Sequence, residues 1–141
     1  KEYLDGALAR AGAVVVGRGM YEAAEAWGGQ NPFGMPLFVV THRPEDAPGG
    51  GGFTFVDGLD QAIARARQAA EGKEVSVGGG ADVIRQALRA GHVDELAISI
   101  APVILGGGKR LFDGFDETLN LEHVAMIQSP FATHITYRVV R

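Results

Sequence analysis

The chain has 141 residues, of which 46% are hydrophobic and none is cysteine, and its formal charge at pH 7 is -4. One core is what this length can bury, and the lack of cysteine excludes disulfides, thiolate metal sites and a cysteine nucleophile. The net charge is small and both signs are mixed along the chain, so the sequence predicts no basic surface for nucleic acid. The apolar runs are too short to span a bilayer. We therefore expect one cytoplasmic domain that binds a small molecule.

Strand and helix patterns alternate along most of the chain. Short apolar runs predict strands at 13–16 and 37–40, the second of them a buried parallel strand, and further strands are predicted at 53–56 and 74–77. Helical spacing or composition predicts helices at 4–11, 21–27, 59–70 and 83–88. We expect Asp57 to cap the third helix, whose apolar stripe is Leu59, Ala62, Ile63, Ala66 and Ala70.

The last third of the chain has a different pattern. Residues 96–100 alternate with period two, and strands at 121–128 and 135–140 are joined by a short loop containing Ser129 and Pro130. This arrangement favours an antiparallel hairpin. The predicted fold is thus a mixed α/β sheet, parallel early and antiparallel at its end.

Two predicted strands end in glycine turns that lead into helices, one at Gly17 and Gly19 and the other at Gly78, Gly79 and Gly80. Unpaired backbone N–H groups and the positive end of a helix dipole would meet there, which suits a phosphate, although a purely structural turn is the alternative. The Rossmann fingerprint fails, because its third glycine would fall at Glu22 or Val83. A P-loop fails as well, because Val103 and Arg110 replace its first glycine and its serine or threonine.

Four segments resemble, in order and spacing, the dihydrofolate-reductase-like family. They are Val16 to Glu22 with Trp27, Val39 to Pro44, Val77 to Gly80, and Pro102 to Phe112. The last segment is similar to the C-terminal reductase domain of bifunctional riboflavin-biosynthesis proteins and their stand-alone relatives. The resemblance implies a three-layer fold with helices on both faces of the sheet. It also implies an NADPH-dependent reductase of a planar heterocycle, with 5-amino-6-(5-phosphoribosylamino)uracil as substrate.

The resemblance further implies a set of cofactor-binding residues. Gly17 and Arg18, with the turn at 78–81, would hold the cofactor phosphates, and Thr41, His42 and Arg43 would lie at the adenosine 2′-phosphate. Two arginines and a hydroxyl favour a dianionic phosphate, and therefore NADPH over NADH. The family usually has threonine where this chain has Met20, so a hydroxyl contact is expected to be lost. The complete set is Gly17, Arg18, Gly19, Met20, Thr41, His42, Arg43, Val77, Gly78, Gly79, Gly80, Ala81, Asp82 and Val83.

Four residues are candidates for the substrate side of the site. Trp27, Ser99, Ile104 and Leu105 could border the substrate pocket, but packing in the core or in a strand explains each of them as well. Asp82 is better explained as a helix cap than as a chemical group. The four histidines show no metal-binding spacing, so no metal is predicted, and the sequence assigns no catalytic residue.

The family's central strand, which carries substrate-side residues, has no counterpart in this sequence. A sheet without it would leave backbone groups unpaired, so we expect roughly 40 to 50 further residues before Lys1, or an equivalent strand from elsewhere. Stand-alone relatives are often homodimers, and the apolar C-terminal strands could form such an interface. We therefore expect a single domain that lacks a native N-terminal strand in this sequence, and a homodimer.

Two other functions remain open at this stage. A true dihydrofolate reductase would need an acidic residue and an arginine for the folate tail, and neither is found in the sequence. A module that binds NADPH without catalysis is the other alternative.

Overall fold

The computed structural model describes residues 10–42, 52–104, 106–107, 111–112, 114–115 and 118–140. It divides into two compact units, Lys1–Gln86 and Ala87–Arg141.

The first unit is a parallel sheet with helices. Its elements are β1 (Ala11–Gly17), α1 (Arg18–Ala23), a 3₁₀ helix (Glu25–Gly29), β2 (Leu37–Val40), β3 (Phe53–Val56), α2 (Leu59–Ala70), β4 (Glu74–Gly79) and α3 (Ala81–Arg89). The last helix continues into the second unit. The strand order is β3-β2-β1-β4, and all three pairings are parallel.

The core of this unit lies on both faces of β1. Its consecutive apolar residues are almost all buried, as expected for a strand with neighbours on both edges and helices on both faces. Val14 and Val16 pack with Tyr21 of α1 on one face. On the other face the guanidinium of Arg65 in α2 lies over the ring of Phe38. Helices therefore cover both faces of the sheet, as predicted.

Helix α2 has the predicted bounds, and all five residues of its predicted apolar stripe are buried. The prediction that Asp57 caps it is wrong. Gly58 is the N-cap, with φ of +89° and no side-chain hydrogen bond, a conformation that favours glycine.

The helix predicted at 21–27 is also corrected. Helix α1 begins earlier, at Arg18, and ends at Ala23, after which the chain continues as a 3₁₀ helix. Glu25 and Trp27 have φ of +52° and +49°, so the backbone there cannot continue an α-helix.

The second unit is an antiparallel sheet of β5 (Glu95–Ile100), β6 (Asn120–Gln128) and β7 (Thr133–Val140), in the order β5-β7-β6. The predicted hairpin of the last two strands is present. In the described residues the parallel and antiparallel strands form two sheets instead of the one mixed sheet expected from the pattern, because periodicity identifies strands without identifying their neighbours. None of the helices in the described ranges is long and apolar enough to cross a membrane.

Candidate cofactor site

Three turns of the first unit meet at one edge of its sheet. The carboxyl ends of parallel strands lie together, and β1 has β2 on one side and β4 on the other. The register pairs Gly17 with Val40 and Val16 with Gly79. The turns that follow β1, β2 and β4 are therefore neighbours, which is the arrangement that the sequence predicted for its two glycine turns.

Gly17 is needed for close packing at this edge. A Cβ atom added to it would lie 2.6 Å from Cγ2 of Val83 and 3.7 Å from the carbonyl oxygen of Gly79. Val83 is buried in the first turns of α3. The absence of a side chain at Gly17 thus lets α3 and the turn after β4 approach the end of β1.

The turn after β4 leaves space at the start of α3. Gly79 has φ of +123°, and the carbonyl of Gly80 accepts a hydrogen bond from the N–H of Ile84. A Cβ atom added to Gly80 would meet nothing within 4 Å. The first N–H groups of a helix have no partner within the helix, so this open turn, followed by the nine residues of α3, fits a phosphate group.

The side chain of Arg18 is held over the same edge. Its Nη1 donates a hydrogen bond of 3.4 Å to Oγ1 of Thr41, and its Cζ lies 5.9 Å from the ring centroids of both Tyr21 and Phe55. Its Nε is buried without a hydrogen-bond partner among the described residues, and Oε1 of Glu22, at 3.8 Å, is too far away to accept its proton. A fixed guanidinium with an unsatisfied buried donor fits an anionic ligand.

Thr41 is a fixed partner for Arg18. The residue is 7% exposed, and its backbone N–H donates a 2.9 Å hydrogen bond to the carbonyl of Val56. His42, the next residue, is exposed. Arg43, which the sequence predicted to join these two at the 2′-phosphate, lies outside the described residues.

Met20 lies over the last residues of β4. Its Sδ would be 3.4 Å from a Cβ atom added to Gly79, and its Cε 3.7 Å from one added to Gly78. A thioether thus faces the glycine turn at the position where the family resemblance leads one to expect a hydroxyl. A Cβ atom added to Gly19, by contrast, would meet nothing within 4 Å.

The remaining predicted cofactor residues lie along β4 and the start of α3. Val77 is half-buried and pairs with Val15 of β1, and Ala81 opens α3. Asp82 is the second residue of α3, so it is not the helix cap that was predicted. Its Oδ2 accepts a 2.8 Å hydrogen bond from Nε2 of Gln86, one turn further along the helix.

Trp27 packs against the core of the first unit. Its ring is stacked on Phe53 with centroids 6.1 Å apart, and it meets Phe33 edge-on at 5.5 Å. This position agrees with the structural alternative that the sequence left open for Trp27.

The other substrate-side candidates belong to the second unit. Oγ of Ser99 lies 2.6 Å from Nδ1 of His134 on the neighbouring strand. Ile104 is 97% exposed, and Leu105 lies outside the described residues. Within the described part of the chain, no group of three or more potential metal-ligating side chains comes together.

Sequence reasoning missed three residues that position the candidates. Tyr21 holds Arg18 and could have been found, since the two are three residues apart in one helix. Phe55 and His134 could not have been found without the strand order and register, because they lie on strands distant in sequence from Arg18 and Ser99.

Comparison with known proteins gives one family. The model of the RibD C-terminal domain matches residues 1–132. In the curated proteins, the uncharacterized protein YyaP of Bacillus subtilis (strain 168) is 43% identical over 53 residues. That match spans 38% of this chain and only 28% of the relative's length.

Solved structures agree on the fold. A protein of Shewanella sp. PV-4, described as a riboflavin biosynthesis protein, is 25% identical with a TM-score of 0.79, over 95% of this chain and 77% of that chain. The riboflavin biosynthesis reductase Rib7 of Saccharomyces cerevisiae is 14% identical with a TM-score of 0.70, over 92% and 75% of the two chains. Dihydrofolate reductase of Enterococcus faecalis, solved with NADP(H), is 20% identical with a TM-score of 0.66, over 92% and 74%. The predicted resemblance and fold class are thus confirmed: the chain has a dihydrofolate-reductase-like fold and belongs to the family of the RibD C-terminal domain.

Proposed function

We propose that this chain is a cytoplasmic NADPH-dependent reductase of a small planar heterocycle, with 5-amino-6-(5-phosphoribosylamino)uracil as its substrate. Membership of the RibD C-terminal domain family supports a reductase of riboflavin biosynthesis. The observation that carries the cofactor assignment is Arg18, whose guanidinium is bonded to Thr41 after the end of β2 and whose buried Nε has no hydrogen-bond partner among the described residues.

Each part of the site has a role in this proposal. The backbone at Gly17 and Gly80 and the first N–H groups of α3 would receive the pyrophosphate. Arg18, Thr41, His42 and Arg43 would hold the 2′-phosphate, since charge-assisted hydrogen bonds to a dianion are the strongest that these groups can make. When bound, NADPH supplies a hydride, and the protein contributes its placement.

The titration of Trp27 fluorescence with NADPH and with NADH tests the cofactor assignment. Trp27 is the only tryptophan, so quenching reports one site. We expect NADPH to bind at least about tenfold more tightly than NADH, because only NADPH has a phosphate for Arg18 and Thr41. Arg18→Ala should remove most of this preference, and Thr41→Val should reduce it by a smaller factor.

Arg65→Ala is the matched control. Arg65 also lies over an aromatic ring, that of Phe38 at 5.8 Å, but on the other face of the sheet. It should leave both affinities unchanged. Equal affinities for NADPH and NADH in the unsubstituted protein would contradict the cofactor assignment. Consumption of NADPH with 5-amino-6-(5-phosphoribosylamino)uracil, and not with dihydrofolate, would separate the proposed reaction from that of a dihydrofolate reductase.

A further inference from the structure

Arg18 and Glu22 form an ion pair one helical turn apart in α1, with Nε and Oε1 separated by 3.8 Å. Arg18 is the first residue of this six-residue helix and Glu22 the fifth. A helix is stabilised by acidic residues in its first turn and basic residues in its last, and an i,i+4 ion pair is more stabilising when the acidic residue comes first. Both preferences are reversed here, so the stability of α1 does not account for the pair.

The other contacts of Arg18 hold its guanidinium short of a hydrogen bond with Glu22. Nη1 donates to Oγ1 of Thr41 at 3.4 Å, and Cζ lies 5.9 Å from the ring centroids of Tyr21 and Phe55. Nε is buried and has no hydrogen-bond partner among the described residues. The attraction between Arg18 and Glu22 is therefore electrostatic only, since 3.8 Å is too long for a hydrogen bond.

Strand β3 fixes both partners of the hydrogen bond between Arg18 and Thr41. The ring of Phe55 lies beside the guanidinium, and the carbonyl of the next residue, Val56, accepts a 2.9 Å hydrogen bond from the N–H of Thr41. The side chain of Glu22, by contrast, is 65% exposed, against 32% for that of Arg18. Exposed ion pairs contribute little to stability, so the carboxylate can turn into water while the guanidinium stays in place.

An anion that reaches Arg18 meets Glu22 as well. The carboxylate offsets the single positive charge of the guanidinium, and it repels a second anion at the same place. A phosphate monoester carries between about 1.5 and 2 negative charges at pH 7, so this repulsion is strong for it. The 2′-phosphate is the group that distinguishes NADPH from NADH. Glu22 should therefore weaken the binding of NADPH and leave that of NADH unchanged.

We propose that Glu22 is a specificity-determining residue, a counter-ion of Arg18 that competes with the 2′-phosphate and limits the preference for NADPH. Binding of NADPH displaces the Glu22 carboxylate into solvent, and the buried Nε of Arg18 then donates to the phosphate. The oxidised cofactor has the same 2′-phosphate, so Glu22 weakens its binding too and favours its release. This inference rests on the proposed function and adds to it a residue that lowers the affinity.

The titration of Trp27 fluorescence with NADPH and with NADH, repeated on Glu22→Gln, tests the inference. Glutamine has nearly the same size and shape as glutamate but no charge. At low ionic strength we expect NADPH to bind about fivefold more tightly to Glu22→Gln than to the unsubstituted protein, and NADH to bind within about twofold. In 1 M NaCl, where charges are screened over about 3 Å, the gain for NADPH should disappear. A merely structural effect of the substitution would not depend on salt in this way.

Glu74→Gln is the matched control. Glu74 also pairs with an arginine, since its Oε2 lies 3.3 Å from Nε of Arg10. It is the first residue of β4, and Gly79 at the glycine turn is the last, so the two lie at opposite ends of the strand. Glu74→Gln removes the same charge there and should leave the affinities for both cofactors within about twofold of the unsubstituted protein.

Failure of the inference and failure of the proposed function give different results. If the unsubstituted protein prefers NADPH but Glu22→Gln binds it no more tightly, the role of Glu22 is overturned and the cofactor assignment stands. A gain that is equal for NADH, or that persists in 1 M NaCl, also overturns it, because the effect then does not act on the 2′-phosphate charge. Equal affinities for NADPH and NADH in both proteins refute the proposed function itself.

Discussion

Gly17 is the residue on which the packing of the candidate site depends most directly. In Gly17→Ala the new Cβ atom would lie 2.6 Å from Cγ2 of Val83, a branched side chain held in the core. Because Val83 cannot rotate away freely, we expect α3 to shift, the free energy of unfolding to fall by about 1–3 kcal/mol and NADPH affinity to fall with it. Chemical denaturation and the NADPH titration measure the two effects.

Two further variants test whether this contact is the cause. Gly17→Ala combined with Val83→Ala removes Cγ2 and should recover part of the lost stability. Gly19→Ala should be neutral or stabilising by up to about 1 kcal/mol, since Gly19 lies in a helix with open space around its Cα. A Gly17→Ala protein as stable as the unsubstituted one would contradict the packing argument.

At the scale of elements, the bounds of several strands and helices could be predicted from the pattern of neighbouring residues. The bounds of β2, β3 and α2 follow from apolar runs and a helical stripe, and the structure has the same bounds. The break between α1 and the 3₁₀ helix was missed, because it depends on positive φ angles at Glu25 and Trp27, which no residue-type rule indicates.

For the candidate site, the sequence predicted several of the residues but fewer of the contacts between them. The glycine turns, Arg18 and Thr41 were identified from motifs, and the parallel order of the strands brings them together. The pairing of Ser99 with His134 required the register of β5 on β7. That register links residues 35 positions apart, so a sequence pattern alone could not predict it.

Strand β4 is the last strand in its sheet and has a neighbour on one side only. Its residues Val75 and Val77 are half-buried, whereas β1, which has neighbours on both sides, is almost wholly buried. We propose, as the family resemblance led us to expect, that a further strand from outside the described residues pairs with the second edge of β4. Hydrogen exchange should then show slower exchange of the outward-facing β4 amides in the full gene product than in the 141-residue chain.

The measurement needs an internal reference. Amides of β2, which has neighbours on both edges, should exchange equally slowly in both proteins. Equal and fast exchange of the outward β4 amides in the two proteins would refute the additional strand.

For the whole molecule, the question is whether two copies associate. Strand β6 is exposed along its length and lies at the edge of its sheet, with Met126 61% and Ile127 51% exposed on opposite faces. An apolar edge strand of this kind can pair with a second copy, so we expect a homodimer joined through β6. Light scattering after gel filtration should give the mass of a dimer, and Met126→Lys should give that of a monomer.

Gln68→Lys, on the exposed side of α2, adds the same charge elsewhere and should leave the dimer intact. If Met126→Lys remains dimeric, the interface lies elsewhere; if the unsubstituted protein is monomeric, the exposed apolar side chains of β6 need a different partner.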